Sequence, residues 1–244
     1  MKLELRPEVA VTYKSPSQRT RVITEKWGRE NLYCLSCPSD GLVPTPTGKP
    51  VVDFTCPKCG ERYQLKGKKR SFGNRVANSA YKPKIKAIRK GTIPNFIFLQ
   101  YDPAMWRVRS LFIVPKHFIS ESIIKRRKRL RKTARRAGWA GSEILLGNLP
   151  LDARIPIVEN AHEVPKATVR DSWNRFLFLR EQSVYSRGWL ADVLARVRQL
   201  DKETFTLADV YTFERQLAEL HPRNKHIRPK IRQQLQVLRD YGIV

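Results

Sequence analysis

The sequence predicts an α+β protein in which a strand-rich N-terminal region precedes a small helical domain. Two C-x2-C pairs, Cys34/Cys37 and Cys56/Cys59, are separated by 18 residues, a spacing that suits a tetrahedral zinc site. Short β-branched and aromatic runs dominate to about residue 180, whereas apolar residues recur at helical spacing from Ser186 onwards. The 244 residues therefore allow two domains, predicted at 1–180 and 181–244.

The four cysteines are predicted to hold structural zinc. The alternatives are four reduced thiols or two disulfides, but adjacent C-x2-C pairs bridge poorly, no other cysteine exists, and Met1 opens no apolar signal segment. Because sulfur would fill all four coordination positions, this metal would leave no site for water or substrate. Any catalysis must then use other residues.

A predicted β-hairpin carries the candidate catalytic residues. Its strands are residues 51–55 and 62–66, and the second cysteine pair forms its turn. Because side chains alternate across a strand, Gln64 and Lys66 share one face while Leu65 points into the core. Asp53 can approach the same face if the strands pair about this turn.

This arrangement suits phosphodiester hydrolysis. Asp53, the Gln64 amide oxygen and a backbone carbonyl, taken as that of Leu65, can hold Mg²⁺. Lys66 can orient water or stabilise developing negative charge. The pattern alone is weak, because a lysine on an exposed strand is ordinarily just solvated. Glu61 and Glu25 are further candidate carboxylates, the first poorly placed at the turn and the second more simply a surface charge on a predicted helix.

The charge balance indicates a polyanionic partner. Lys and Arg number 48 against 22 Asp and Glu, which gives a formal net charge of +26 and a pI near 10.4. Nine of the twelve residues at 125–136 are basic and none is acidic, and Lys66, Lys68, Lys69 and Arg70 extend the positive field beside the candidate site. A basic run can be a solvated face or a nuclear-import signal, but a field throughout the chain favours nucleic acid.

The remaining N-terminal elements are predicted from apolar runs and from the positions of Pro and Gly. Residues 41–49, rich in Pro, Thr and Gly, are predicted to be a loop, and residues 76–90 a helix interrupted at Pro83. Apolar runs at 95–101 and 107–114, separated by a turn at Asp102, predict adjacent central strands. Residues 155–158 are predicted to form a shorter strand.

Three helices are predicted in the C-terminal region, the second beginning at a capping box of Thr206 and Asp209. Their apolar stripes are Trp189, Leu190, Val193, Leu194, Val197 and Leu200; Leu207, Val210, Tyr211 and Leu217; and Ile227, Ile231, Leu235 and Leu238. Gly242 should end the third helix, whose outer face carries Lys225, Arg228, Lys230, Arg232, Gln233, Gln236 and Arg239. Such residues contact phosphates and base edges, although an ordinary soluble helix face is the alternative. A winged helix would continue into a β-hairpin wing, which is expected to be truncated or absent here.

Several collinear segments carry a family resemblance. Besides the two cysteine pairs, they are VTYKS (11–15), PVVDF (50–54), LK (65–66), PNF (94–96), TARRAGW (133–139), SRGW (186–189) and KIRQQLQVLRD (230–240). Across nearly its whole length the chain resembles the DpnI restriction endonucleases, which cleave GATC sites carrying N6-methyladenine. The resemblance implies a PD-(D/E)xK nuclease domain with a mixed sheet and structural zinc, followed by a winged helix.

The resemblance also implies roles for individual residues. Asp53, Gln64 and Lys66 match the catalytic motif, and Trp139 falls in the segment associated with the methyl-reading pocket. Gln64 departs from the family pattern, which has Glu there, although Gln occurs at this position in other branches of the nuclease superfamily. The predicted DNA-binding set is Arg126, Arg127, Lys128, Arg135, Arg136, Trp139, Lys230, Arg232, Gln233 and Gln236.

The sequence thus predicts a Mg²⁺-requiring, methyl-directed type II endonuclease acting on duplex DNA. It is expected to be monomeric and cytoplasmic in a prokaryotic cell, with neither a membrane nor a small-molecule substrate as partner. The alternative is a non-catalytic zinc and winged-helix protein, a methyl-DNA reader or transcription regulator, in which Gln64 marks a lost active site. Convergence of Asp53 and Gln64 would favour the enzyme, and their separation on opposite faces would favour the binding protein.

Overall fold

The computed structural model describes residues 1–45 and 52–244. Its helices are α1 (Pro16–Asn31), α2 (Tyr81–Arg89), α3 (Lys166–Asn174), α4 (Val184–Gln199), α5 (Leu207–Tyr211), α6 (Glu214–Leu220) and α7 (Ile227–Asp240). Its strands are β1 (Val43–Pro44), β2 (Phe54–Thr55), β3 (Arg62–Lys68), β4 (Val76–Ala80), β5 (Asn95–Asp102), β6 (Arg107–Val114), β7 (Ile124–Arg126), β8 (Gly141–Ile144), β9 (Ile155–Glu159) and β10 (His162–Glu163). The fold is α+β, as predicted, and none of the helices in the described ranges has the length and apolar character needed to cross a bilayer.

The chain folds into two compact units. The first contains Met1–Gly73, Ile93–Lys116 and Arg154–Phe178, and the second contains Asn74–Thr92, His117–Ala153 and Leu179–Val244. Each unit combines segments that are distant in sequence. Compact packing therefore groups the chain differently from sequence order, and the predicted boundary at residue 180 stays a prediction.

A seven-stranded mixed sheet forms the centre of the first unit, in the order β1-β2-β3-β5-β6-β9-β10. Only β3 and β5 are parallel, and the other neighbouring pairs are antiparallel. The predicted central strands are confirmed as β5 and β6, and the short strand at 155–158 as β9. The predicted hairpin is confirmed in its pairing, since β2 pairs with β3. Its first strand is shorter than predicted, because β2 begins at Phe54 and Asp53 precedes it. Residue 51 and positions 46–49 of the predicted loop lie outside the described residues.

Helix α1 covers one face of this sheet. Ile23 and Trp27 are buried in the same apolar cluster as Tyr63 and Leu65 of β3. On β5, Phe98 stacks on Phe112 with ring centroids 4.9 Å apart, and Phe72 meets its edge at 5.1 Å. Apolar packing thus holds β3, the strand that carries Gln64 and Lys66, against α1.

The second unit contains a three-stranded antiparallel sheet in the order β4-β8-β7. The predicted helix over residues 76–90 is wrong in its first part, because residues 76–80 form β4 and pair with β8. Pro83 does not interrupt a helix either. It is the third residue of α2, where a backbone N–H has no intrahelical acceptor to lose.

Four helices, rather than the predicted three, make up the C-terminal region. The Thr206–Asp209 capping box is confirmed at the start of α5, but the second apolar stripe is divided between α5 and α6. The Thr212 hydroxyl donates to the Asp209 carbonyl at 2.6 Å, a local bond that competes with continued helix. Gly242, in the left-handed conformation at φ 62°, follows the end of α7 as expected.

Polar contacts fasten α4 to the rest of the second unit. Asp192, 2% exposed, accepts a hydrogen bond from the Ser122 hydroxyl at 3.0 Å and lies 2.9 Å from His221 Nε2. Arg198 donates two hydrogen bonds to the Asp152 carboxylate, at 2.8 and 3.0 Å. Such bidentate pairs fix orientation as well as contact, so α4 is held in a defined position in this unit.

Candidate functional site

The four cysteines converge on one point. Cys34 Sγ lies 3.6 Å from Cys59 Sγ, Cys37 Sγ lies 3.5 Å from Cys56 Sγ, and all four sulfurs are within 4.8 Å of one another. A disulfide needs sulfurs about 2.05 Å apart, whereas four thiolates around zinc stand about 3.8 Å apart for Zn–S bonds of about 2.3 Å. The cysteines are free, and their spacing fits a zinc ion.

The surroundings of Cys34 also suit a metal ligand. Burial raises the pKa of the Cys34 thiol to about 12, while a hydrogen bond with the Tyr63 hydroxyl, 3.2 Å away, opposes the rise. A buried thiol of this kind ionises at neutral pH only if a cation takes the place of its proton. The cluster is therefore compatible with a bound metal ion.

The β2–β3 hairpin brings the predicted catalytic residues to one cavity. Asp53, Gln64 and Lys66 all line a cavity of about 690 Å³ in the first unit. The Asp53 carboxylate is held by a hydrogen bond from the Leu65 backbone N–H at 2.7 Å. Position 65 thus orients the acid through its backbone, while its side chain is buried in the core.

The donor set of this cavity fits a hard divalent cation. Gln64 is 6% exposed, and its Oε1 atom is buried without a hydrogen-bond partner among the described residues. A buried amide oxygen left in this state costs free energy that a bound cation would recover. Burial also lowers the pKa of Lys66, while the neighbouring Asp53 carboxylate acts in the opposite direction.

Glu25 lines the cavity, although its sequence pattern favours a surface charge. It lies on α1 and lines the same cavity as Asp53. Burial raises the pKa of Glu25, Arg21 opposes the rise, and the charge of Asp53 adds to it. Two carboxylates thus share one cavity. The only signal in the sequence was an acidic residue on a helix that precedes the hairpin.

Glu61, the other candidate carboxylate, lies elsewhere. Its Oε1 accepts a hydrogen bond from Asn95 at 2.9 Å and pairs with Lys116 at 2.6 Å. It does not line the cavity that contains Asp53 and Gln64. Its role is to join the start of β3 to β5 and the end of β6.

Gly67 sets the separation between α1 and β3. A Cβ atom built on Gly67 would lie 2.6 Å from the Thr24 methyl and 2.8 Å from its hydroxyl. Thr24 is itself fixed, because its hydroxyl donates to the Thr20 carbonyl at 2.8 Å. The position next to Lys66 therefore has no room for a side chain, and α1 carries Glu25 close to the strand.

The basic segment at 125–136 belongs to a long hairpin of the second unit. Beyond β7 and β8, backbone hydrogen bonds from Arg127 to Gly141 (3.0 Å) and from Leu130 to Trp139 (2.8 Å) continue the pairing. The predicted DNA-binding side chains of this segment are exposed: Arg126, Arg127, Lys128, Arg135 and Arg136. Together they form a basic β-ribbon.

Trp139 lies at the base of this ribbon and is half-buried. Its ring approaches Gly141, where an added Cβ would be 2.9 Å away, and the Arg136 guanidinium lies 5.9 Å from the ring centroid. The ring therefore has packed neighbours and a surface still open to a ligand.

The outer face of α7 is available to a partner. Arg232, Gln233 and Gln236 are exposed, whereas Lys230 is half-buried and donates to Gln233 Oε1 at 2.7 Å. Arg228 is instead committed to an ion pair with Glu214 at 2.8 Å. The polar residues predicted for DNA contact thus occupy the solvent side of α7.

An α+β region with a four-cysteine cluster, joined to a helical region with a basic outer face, is typical of a DNA-acting protein. The model of the Dam-replacing family, DpnI, matches residues 1–182, and that of the Dam-replacing helix-turn-helix domain matches residues 185–244. The chain therefore belongs to the DpnI family, as the resemblance predicted. Membership indicates a restriction endonuclease with a C-terminal helix-turn-helix domain.

Proposed function

We propose that the protein is a methyl-directed type II restriction endonuclease that cleaves duplex DNA at GATC sites carrying N6-methyladenine. The observation that carries the proposal is the meeting of Asp53, Gln64 and Lys66 at one cavity in a chain of the DpnI family. The proposal includes a structural zinc ion at the four cysteines and an Mg²⁺ requirement. It also includes action as a cytoplasmic monomer.

Asp53, the Gln64 amide oxygen and the Leu65 carbonyl are the proposed Mg²⁺ ligands, with Glu25 as a further carboxylate. The cation would supply charge stabilisation at the phosphate and lower the pKa of a bound water. The Leu65 N–H holds the Asp53 carboxylate in orientation. Lys66, kept partly desolvated in the cavity, is suited to donate hydrogen bonds to an oxygen on which negative charge develops.

The methyl groups would be read by Trp139 and its surroundings. Burial of one methyl group contributes about 0.8 kcal/mol, roughly a fourfold preference. Two methyl groups in a palindromic site would then give about fifteenfold by apolar contact alone. Stronger discrimination needs a pocket that penalises the unmethylated base or a second reader, for which the outer face of α7 is the candidate.

A non-catalytic DNA-binding protein is the second candidate function, favoured by one observation. Gln64 occupies a position where the resembled family has Glu, so one ligand carries no charge. Two observations support the enzyme instead. The buried Gln64 oxygen has no hydrogen-bond partner within residues 1–45 and 52–244, and both Asp53 and Glu25 line its cavity.

Cleavage of paired methylated and unmethylated plasmids with Mg²⁺ tests the proposal. Asp53→Ala and Lys66→Ala should each reduce the single-turnover rate by about a thousandfold or more, because several kcal/mol of transition-state stabilisation is lost. Affinity for methylated DNA should change by less than about tenfold, since the lost groups act mainly on the transition state. Gln64→Glu should keep or increase the rate.

Asp171→Ala is the matched control, because it removes an exposed carboxylate of α3 that lies outside the cavity lining. It should cleave like the unmodified protein. Wild-type cleavage by Asp53→Ala would show that the centre is misassigned. Methyl-selective binding without cleavage, in the unmodified protein and in Gln64→Glu, would establish the binding protein.

A further inference from the structure

The cavity that contains Asp53 has an acidic interior and a basic margin. Lys14 and Arg19 line it from the start of α1 and the preceding loop, and Lys68 and Lys69 from the end of β3 and beyond. All four side chains are exposed. Cations therefore come from two separate segments that border the same opening.

These cations are largely uncommitted. Within residues 1–45 and 52–244, no ion pair engages Lys14, Arg19 or Lys69. Lys68 donates to the Ser71 carbonyl at 3.3 Å and lies 5.8 Å from the centroid of the Phe72 ring. Arg21, by contrast, lies 3.9 Å from Glu25. Unpaired cations around a carboxylate-lined cavity attract a chain of negative charges, because each phosphate can find a cation at the margin.

The loop before α1 gives Lys14 a defined place. Backbone hydrogen bonds from Val11 to Glu8 (3.4 Å) and from Tyr13 to Ala10 (3.2 Å) turn the chain just before it. This loop is the VTYKS segment at 11–15, whose role the proposed catalytic residues leave unexplained. A fixed turn that presents a lysine to the cavity supplies such a role.

We propose that this margin is a binding site for the backbone of the DNA strand being cut. Lys14 and Arg19 bind phosphates on one side of the scissile phosphate, and Lys68 and Lys69 bind phosphates on the other. The inference rests on the proposed nuclease function, and it adds a site distinct from the basic β-ribbon and from α7. Its contacts position the strand and carry no sequence information.

Two arginines of α1 provide a matched pair for the test. Arg19 lines the cavity, whereas the exposed Arg29, in the last turn of the same helix, does not. Arg19→Gln and Arg29→Gln remove the same charge from the same helix. DNA affinity would be measured from 50 to 200 mM salt with Ca²⁺, and single-turnover cleavage with Mg²⁺.

Arg19→Gln should reduce the slope of log affinity against log salt concentration by about 0.9, the value for the loss of one phosphate contact. It should also slow cleavage about tenfold, because the DNA strand is misplaced. Its ratio of methylated to unmethylated affinity should stay unchanged, and Arg29→Gln should behave like the unmodified protein. Lys14→Gln should repeat the effect of Arg19→Gln. Equal losses in Arg19→Gln and Arg29→Gln would overturn the proposal, since charge alone would then explain them.

A metal-free measurement separates this site from the nuclease proposal. In EDTA, Asp53→Asn should bind DNA more tightly than the unmodified protein, because a carboxylate that repels the phosphate has been neutralised. If neither the unmodified protein nor any variant cleaves DNA, yet Arg19→Gln lowers the salt slope and Arg29→Gln does not, the nuclease proposal fails and the backbone site stands. Unchanged binding by Asp53→Asn would show that DNA does not enter the cavity.

Discussion

Glu25 and Asp53 place two carboxylates at one cavity, and this affects stability through pH. The pKa of Glu25 is raised in the folded protein, mainly by burial, so its ionised form is less favourable there than in the unfolded chain. The stability associated with a protonated Glu25 is complete below the ordinary value of 4.5 and is lost as pH rises through the raised pKa. Above that pH the charged side chain destabilises the fold.

Glu25→Gln should therefore raise the melting temperature in EDTA at pH 7.5. For a side chain still partly exposed, the expected gain is about 1–2 °C. No gain is expected at pH 4, where Glu25 is largely protonated in both states. Calcium should stabilise the unmodified protein more than the variant, because a carboxylate is missing. A lower melting temperature for Glu25→Gln in EDTA at pH 7.5 would contradict this account.

The sequence predicts Asp53, Gln64 and Lys66 as neighbours from one local pattern, whereas it offers Glu25 only as a minor candidate, more simply a surface charge. The first three lie on one hairpin, whose strand periodicity and turn are local. Glu25 reaches the cavity through the packing of α1 on β3, and this depends on the fit of Gly67 against Thr24. No spacing in the sequence encodes that contact.

At the scale of elements, the cysteine pairs tie the start of β3 to the segment after α1. Cys56→Ser should unfold the first unit, because zinc binding at ~10–16 kcal/mol equals or exceeds the stability of most domains. Zinc content and a circular-dichroism melting curve would measure the loss. Lys58→Ala, which alters an exposed residue between Cys56 and Cys59, is the control and should retain both. A zinc-free Cys56→Ser protein with an unchanged melting curve would exclude the structural role.

Elements defined by local pattern were predictable, whereas those made by distant pairing were not. β5 and β6 carry long apolar runs with a turn between them, so both were found. The Ala and Asn residues in β4 give no strand signal, and the strand exists because β8 pairs with it from some 60 residues away. The break between α5 and α6 was also missed, since the Thr212 hydrogen bond competes with a stripe that looks continuous.

Across the whole molecule, methyl reading and general attraction to DNA should be separable. Trp139→Ala should weaken binding to methylated sites and leave nonspecific binding almost intact, because a methyl group gains contact only with a surface shaped to it. Replacing Arg126, Arg127 and Lys128 by Gln should lower affinity for all DNA and reduce the salt slope by up to about 0.9 per contact. Fluorescence anisotropy with methylated and unmethylated duplexes would distinguish the two.

Leu130→Ala serves as the control for Trp139→Ala, because it truncates an exposed apolar residue of the same β-ribbon. It should preserve the preference for methylated DNA. Equal losses on methylated and unmethylated duplexes in Trp139→Ala would instead assign Trp139 to the core, where most tryptophans are largely buried.

Because Gly67 has no side chain, position 67 influences the distance between the Glu25 and Asp53 carboxylates at the proposed Mg²⁺ site. Glu25 lies on α1, next to Thr24. A Cβ built on Gly67 would lie 2.6 Å from the Thr24 methyl, so α1 packs this closely on β3 because position 67 has no side chain. A larger residue at position 67 would widen the distance between the Glu25 and Asp53 carboxylates. A smaller residue at position 24 would narrow it. Neither change alters a carboxylate. Since Mg²⁺ tolerates little deviation in ligand distance and larger cations tolerate more, substitutions at these two positions would change the ion selectivity of the proposed Mg²⁺ site without altering a proposed ligand.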